Sequence, residues 1–294
     1  MPNDCTFATN VYEKTYRERL QPGYINAKIK SHHFDFKERI VTINNVHDMD
    51  DAVSLATQLI QLGEIDRYVI VADEMPAVFR KAKMSPNKLR KIPYYSTGYL
   101  AVLSATNTTY VMYNDIETTL TTPGDWITEA IEKLEHNPNI IVVNPSFTIH
   151  PIEKDAYTYF GNYAVDFGFS DLIFIVRSSL IYQPFHQHMH WASLRYPLAH
   201  VNPVFEQWID SYLRTFHLMR FTDRRFYLDH ETPGGENYPQ YSIYQKIKRR
   251  INVFLWPIAL RRSRKTNEKL LESLLMPSKD SDPIHQELLK MKNK

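Results

Sequence analysis

Arg39 to Asp73 reads R-I-V-T-I-N-N-V-H-D-M-D-D-A-V-S-L-A-T-Q-L-I-Q-L-G-E-I-D-R-Y-V-I-V-A-D, and its periodicities decide the fold. Arg39 to Asn44 is short and rich in β-branched residues, as a buried strand requires. Asp48 is placed to cap a helix in which Val53, Ala56, Leu59 and Ile60 share a face, and Gly63 is placed to end it. Arg67 to Ala72 is a second apolar strand, stopping at Asp73. Strand, helix and strand at this spacing predict a right-handed βαβ unit in an α/β protein with a mainly parallel sheet.

The pattern continues outward. Tyr110 to Tyr113 predicts a strand ending at Asn114-Asp115. Asp125 caps a predicted helix carrying Ile127, Ile131 and Leu134, and Asn139 to Val143 is a further strand. Leu172 to Val176 predicts another, after Gly168-Phe169-Ser170-Asp171. Pro203 opens a predicted long helix with Val204, Trp208, Tyr212, Phe216 and Met219 on its apolar face. No internal repeat and no Gly/Ser linker divides the chain. One domain over residues 1–241, followed by a basic helical extension over 242–294, is the expected organisation.

With 294 residues, 43% hydrophobic and 23% charged, the chain has the composition of an ordinary globular protein. Its 8 glycines include neither a Walker A sequence nor G-x-G-x-x-G, so a nucleotide would be held some other way. A net charge of +2 gives no reason to expect nucleic acid as a partner. The single Cys5 cannot form an internal disulfide, and Met1-Pro2-Asn3-Asp4 lacks the basic and apolar regions of a signal peptide. Both point to a cytoplasmic protein, and no apolar run is long enough to span a bilayer.

In parallel sheets, ligands bind beyond the C-terminal strand ends. Three predicted strands end there on polar residues: Asn44-Asn45, Asp73 and Asn114-Asp115. Each alone is explained by turn formation, and three together favour a site. The sharpest of them is Val111-Met112-Tyr113-Asn114-Asp115-Ile116-Glu117. Two carboxylates one residue apart, at the end of a buried strand, are hard oxygen ligands suited to Mg²⁺ or Mn²⁺ bridging a diphosphate.

That acid-x-acid triplet resembles the D-x-D motif of GT-A glycosyltransferases, with Glu117 in the place of the commoner second Asp. More of the chain, from about Ala8 to Tyr241, is similar to a group of bacterial glycosyltransferases of family 2-like type. The shared phrases are Glu38 to Val46, Ile65 to Asp73, Gly168 to Asp171 and Ala192 to Val201. The resemblance implies a GT-A (Rossmann-like) sheet flanked by helices. It implies transfer of a sugar from a UDP- or GDP-sugar to an acceptor hydroxyl, with Mn²⁺ or Mg²⁺ as cofactor. Glycan or lipid-linked acceptors, in cell-surface polysaccharide or glycolipid synthesis, are the implied setting.

The resemblance also implies roles for residues. Asn44, Asn45 and Asp73 would face the nucleoside, with Asn114 beside them. Asp115, Glu117 and a late histidine, His230, would hold the metal. Asp171, with Asp166 behind it, would take the acceptor proton in an inverting transfer. Arg195 would pair with the diphosphate, against the alternative of a salt bridge to Glu206. A sugar-phosphate nucleotidyltransferase is a rival, though it would be expected to carry a Gly-rich loop. An inactive GT-A-fold interaction protein at a membrane is another.

Two segments complete the reading. His186-Gln187-His188-Met189-His190 places three imidazoles at alternate positions, but without cysteines and after Pro184 it reads as a polar loop rather than a zinc site. Lys246 to Lys265 carries eight basic residues and no acid around a short apolar segment. It is expected either to pack on the domain or to meet an anionic membrane surface, with Phe254, Leu255 and Trp256 dipping in.

Overall fold

The computed structural model describes residues 4–89, 91–147, 158–196, 198–199, 201–231, 242–252 and 254–255. The chain is α/β. Its strands are β1 (Cys5–Val11), β2 (Glu38–Ile43), β3 (Arg67–Ile70), β4 (Tyr110–Asn114), β5 (Thr118–Leu120), β6 (Ile140–Phe147), β7 (Thr158–Phe160), β8 (Tyr163–Asp166), β9 (Ile173–Arg177) and β10 (Met219–His230). Its helices are α1 (Tyr16–Arg19), α2 (Tyr24–Ser31), α3 (Met49–Gln61), α4 (Val71–Ala82), α5 (Tyr94–Ala105), α6 (Ile127–His136) and α7 (Phe205–Phe216). A further helix, α8, runs through residues 243–252 and continues at 254 and 255.

One sheet runs in the order β3-β2-β1-β4-β9-β6-β10-β8-β7, with β5 paired to β10. The first four strands are parallel. Beyond them β9 is antiparallel to both β4 and β6, and β10 is parallel to β6. The C-terminal ends of β1, β2, β4, β6 and β10 therefore share one edge of the sheet with the N-terminal end of β9.

Alternation along the strands divides the core into two layers. Phe7, Met112, Ile173 and Ile175 face one layer, with Ala56 and Leu59 of α3 and Ile127 and Leu134 of α6. Ala8, Val111, Tyr113, Phe174 and Val176 face the other, with Val78 of α4, Leu100 of α5 and Trp208 of α7. Burial on both faces explains why these strands read as near-continuous apolar runs.

Both predicted caps form. Asp48 accepts from the Asp51 N–H, and Asp125 accepts from the N–H groups of Ile127 and Thr128. Three boundaries differ from the sequence reading. The second strand stops at Ile70 and the chain turns directly into α4, so Asp73 lies in the first helical turn rather than at a strand end. The long helix starts at Phe205, and Met219 begins β10 instead of closing the helix. Phe216 is 47% exposed, so it is not part of the apolar face. The central strand β1 was not read from the sequence at all. Its threonines and Asn10 dilute the apolar signal of Phe7, Ala8 and Val11, although Thr6 and Thr9 are fully buried too. Among the described residues no helix is long and apolar enough to cross a membrane.

Helix α5 crosses β1 at close range through Gly98. A Cβ there would stand 2.7 Å from Asn10 Oδ1, an atom already receiving the Thr42 hydroxyl at 2.9 Å. Gly98→Ala is therefore expected to lower unfolding free energy by about 1–3 kcal/mol, read by urea titration. A gain in stability, the usual result of Gly→Ala in an unobstructed helix, would refute the close approach.

Candidate functional site

The shared sheet edge gathers side chains that are far apart in sequence. Asp115 and Glu117 sit on the turn after β4, and His230 ends β10. One ligand atom from each lies within 4.8 Å of the others. Asp171 precedes β9 on the same edge, and the Asp115 N–H donates to the Leu172 carbonyl at 2.7 Å. The strand directions are what place His230 and Asp171 beside the acidic turn.

Every part of that turn is tied down. The Glu117 N–H donates to Asp115 Oδ1 at 2.8 Å, and the Tyr12 hydroxyl, just past β1, donates to Glu117 Oε2 at 2.9 Å. The Glu231 N–H donates to the Glu117 carbonyl at 2.8 Å, linking the end of β10 to the turn. Glu231 itself is gripped by Lys28 at 2.9 Å, Arg19 at 2.9 Å and the Thr119 hydroxyl at 2.7 Å. Burial opposes its ionisation, but Lys28, Thr119 and Arg19 outweigh it and hold the Glu231 carboxyl at about 2.

Beneath the turn lies a directed hydrogen-bond chain. Trp126 Nε1 has only a proton to give, and it donates to His32 Nδ1 at 3.0 Å. His32 must then carry its proton on Nε2, which donates to Asn114 Oδ1 at 3.0 Å. The Asn114 amide nitrogen donates onward to the carbonyls of Asp115 at 2.7 Å and Thr118 at 2.9 Å. His32 is fully buried, and burial lowers it from 6.5 to about 4.

The electrostatics of the cluster are those of acids brought close together. Burial is the main reason the Asp115 carboxyl stands at about 7, and the charges of Asp171 and Glu117 push the same way. The Glu117 N–H and the nearby His230 oppose them. Asp171 is also raised, again chiefly by burial, against the Tyr99 hydroxyl that donates to its Oδ2 at 3.0 Å. Two carboxylates and an imidazole converging at one place are a fitting donor set for a divalent cation.

The other sequence candidates are placed as follows. Asn44 is buried at the end of β2, where it donates to the Tyr94 carbonyl at 3.2 Å and accepts from the Thr97 hydroxyl at 3.3 Å. It fastens α5 to the sheet edge. Asn45 is exposed beside it with a left-handed φ of 53°. Asp73 is exposed, one strand further out. Asn114 sits under the acidic turn and spends its amide on supporting it.

Asp166 must be corrected as a reserve base. It is buried in an ion pair with Arg220 and accepts from the Gly168 N–H, so its charge is already committed. The Arg195 side chain lies outside the described residues, as does His200. Of the three histidines of 186–190, His186 lies in a 3₁₀ turn over Phe185–Gln187, and His188 and His190 lie between it and a second turn over Trp191–Arg195. His190 caps that second turn through Ala192 N–H, and His188 packs edge-on against Phe216. Among the described residues the only His/acid cluster able to hold a metal is Asp115, Glu117 and His230.

Sequence reasoning missed Tyr12, His32, Tyr99, Trp126 and Glu231. None belongs to a local pattern, and the site partners of their side chains lie at least 72 residues away in sequence. Glu231 alone carried a signal, as the neighbour of His230.

No protein-family model and no curated protein matches the sequence. Among solved structures, the chain is similar to glucosyl-3-phosphoglycerate synthase from Mycobacterium tuberculosis in complex with Mg²⁺ and UDP. Identity is 11%, with 87% of this chain and 78% of that one covered, at a TM-score of 0.43. It is also similar to GalNAc-T7 with UDP, GalNAc and Mn²⁺, at 6% identity, covering 85% of this chain and 46% of that one, at a TM-score of 0.47.

Two outcomes follow from the electrostatics. A carboxyl raised from 3.8 to about 7 binds its proton more tightly in the folded state, so without metal its contribution to stability is lost as pH rises towards 8. Asp115→Asn should remove that decline and stabilise the metal-free protein at pH 8 by about 2 kcal/mol, while abolishing stabilisation by Mn²⁺. Denaturant titration with and without Mn²⁺ reads both effects. His32 works in the opposite direction: its folded value of about 4 lies below 6.5, so stability is present above pH 6.5 and lost as pH falls towards 4. The loss amounts to about 3 kcal/mol, and His32→Gln should flatten it, which unfolding measured across that window checks.

Proposed function

We propose that the chain is a metal-dependent GT-A glycosyltransferase that moves a sugar from a UDP- or GDP-sugar to an acceptor hydroxyl. The observation that carries this reading is the convergence of Asp115, Glu117 and His230, with Asp171 beside them, on one sheet edge. That edge, beyond the C-terminal ends of parallel strands, is where ligands bind in open α/β sheets.

In this reading Asp115, Glu117 and His230 hold Mn²⁺ or Mg²⁺. When bound, the cation neutralises charge on the departing nucleoside diphosphate. Asn45 and Asp73 lie further along the edge, exposed and on the side of β2 and β3 where the nucleoside would reach. Asn44 acts through α5, holding that part of the edge in place. Arg195 is the proposed partner of the diphosphate.

Asp171 is the proposed base. The acceptor oxygen bonds to C1 of the sugar as the bond from C1 to the phosphate oxygen breaks. The electron pair leaves with the nucleoside diphosphate, and the hydroxyl proton passes to Asp171. A carboxylate raised above its ordinary range by burial is a better proton acceptor than an exposed one. The Tyr99 hydroxyl fixes its orientation through Oδ2. Tyr99 is held in turn by stacking on Phe205 at 5.1 Å and packing on Tyr113 at 4.7 Å. A glycan or lipid-linked acceptor, as in cell-surface polysaccharide or glycolipid synthesis, is the proposed substrate class.

The test is turnover of a panel of nucleotide-sugars with Mn²⁺, followed by release of nucleoside diphosphate. Asp115→Ala should abolish turnover and metal-dependent nucleotide binding together. Asp171→Asn should lower kcat by about 10²–10⁴-fold and leave nucleoside diphosphate affinity near that of the parent. Full turnover in Asp171→Asn would remove the base assignment. Absence of turnover and of metal-dependent binding with every donor would remove the transferase reading itself.

A further inference from the structure

Helix α8 starts on a motif that defines it without help from the rest of the chain. The Ser242 N–H donates to Gln245 Oε1 at 2.8 Å, and the Gln245 N–H donates back to Ser242 Oγ at 3.3 Å. This is a reciprocal capping box, and it sets where the helix begins. What the helix then presents is unusual for a soluble surface. Ile243 is 78% exposed, Ile247 and Ile251 are 52% exposed, and Phe254 is 77% exposed. Tyr244 and Leu255 are exposed as well.

These six side chains are not scattered. At 3.6 residues per turn, Ile243, Phe254, Ile247, Ile251, Tyr244 and Leu255 fall in one stripe about 120° wide. Arg250 borders the stripe on one side and Lys248 on the other, while Lys246 and Arg249 lie on the opposite face. All four cations are exposed. No acidic residue occurs anywhere from Ser242 to Thr266, and Arg261, Arg262, Arg264 and Lys265 extend the positive run.

We infer that α8 is a docking helix for an anionic lipid surface and lies in its plane. The stripe enters the boundary between headgroups and acyl chains, and the cations at its borders meet lipid phosphates. The charge pattern selects this occupant. A second copy of the same helix would set positive against positive along both borders. An acidic protein groove would satisfy the cations but would have to bury six large apolar side chains with them. A bilayer surface offers both chemistries in the right order, apolar below and anionic at the rim. The inference stands apart from the proposed transferase chemistry, because none of these residues belongs to the sheet-edge site.

The experiment uses the full chain in flotation with phosphatidylcholine vesicles, with and without phosphatidylglycerol. Binding is expected to the anionic vesicles, weaker by about ten-fold or more in high salt or on zwitterionic vesicles. Ile247→Glu combined with Ile251→Glu should abolish it, with the melting temperature unchanged because both positions are exposed. Lys246, Lys248, Arg249 and Arg250, all changed to Gln, should remove the preference for phosphatidylglycerol. Asp115→Ala should float like the parent, which separates this result from any failure of the transferase reading. The inference is overturned if the parent does not float. It is equally overturned if the isoleucine variant floats as well as the parent, or if that variant only converts a dimer to a monomer on gel filtration.

Discussion

Asn114 commits its whole side chain to the turn that follows β4, and the site depends on that commitment. Its amide nitrogen holds the carbonyls of Asp115 and Thr118, while its oxygen receives the His32 proton. The tautomer of His32 is set in turn by Trp126, which can only donate. Each link has one possible direction, so the turn has one low-energy arrangement. A turn carrying two acidic side chains into a crowded pocket would otherwise relax outward, since like charges at low dielectric repel strongly.

The second constraint is strand direction. Because β9 runs against β4 and β6, its beginning lies where their ends lie. That reversal puts Asp171 beside Asp115. Because β10 runs with β6, its last residue arrives at the same edge and brings His230 to the two acids. Glu231, one residue later, closes the arrangement from outside by bonding the Glu117 carbonyl and collecting Lys28 and Arg19.

A separate buried network supports the Asp171 side. The Phe169 N–H donates to the Tyr196 hydroxyl oxygen at 3.1 Å, and that oxygen lies 3.3 Å from Asp210 Oδ1. Asp210 is fully buried, pairs with Arg214 at 2.9 Å and also receives the Ser193 hydroxyl. Removing one member would leave a buried charge without its partner, which is strongly destabilising. The loop so held is the one that ends at Asp171.

The sequence by itself determined the elements whose causes are local. The caps Asp48 and Asp125 rest on contacts within a few residues, and the βαβ unit of Arg39 to Asp73 and the strand running into Asp115 and Glu117 show in the apolar periodicity of each element. For α8 the sequence offered only a basic segment around a short apolar run at Phe254, Leu255 and Trp256, and the stripe that begins at Ile243 emerged with the helix. Its exposure was not visible, and neither was β1, whose threonines read as polar until two helical layers cover them. Only the tertiary structure decided that Asp166 is spent on Arg220, that Asn44 and Asn114 support rather than present themselves, and that His230 stands with the acids. The reason is physical. A polar side chain's role is set by what neutralises it, and in this fold those partners arrive on strands and helices that no local pattern connects.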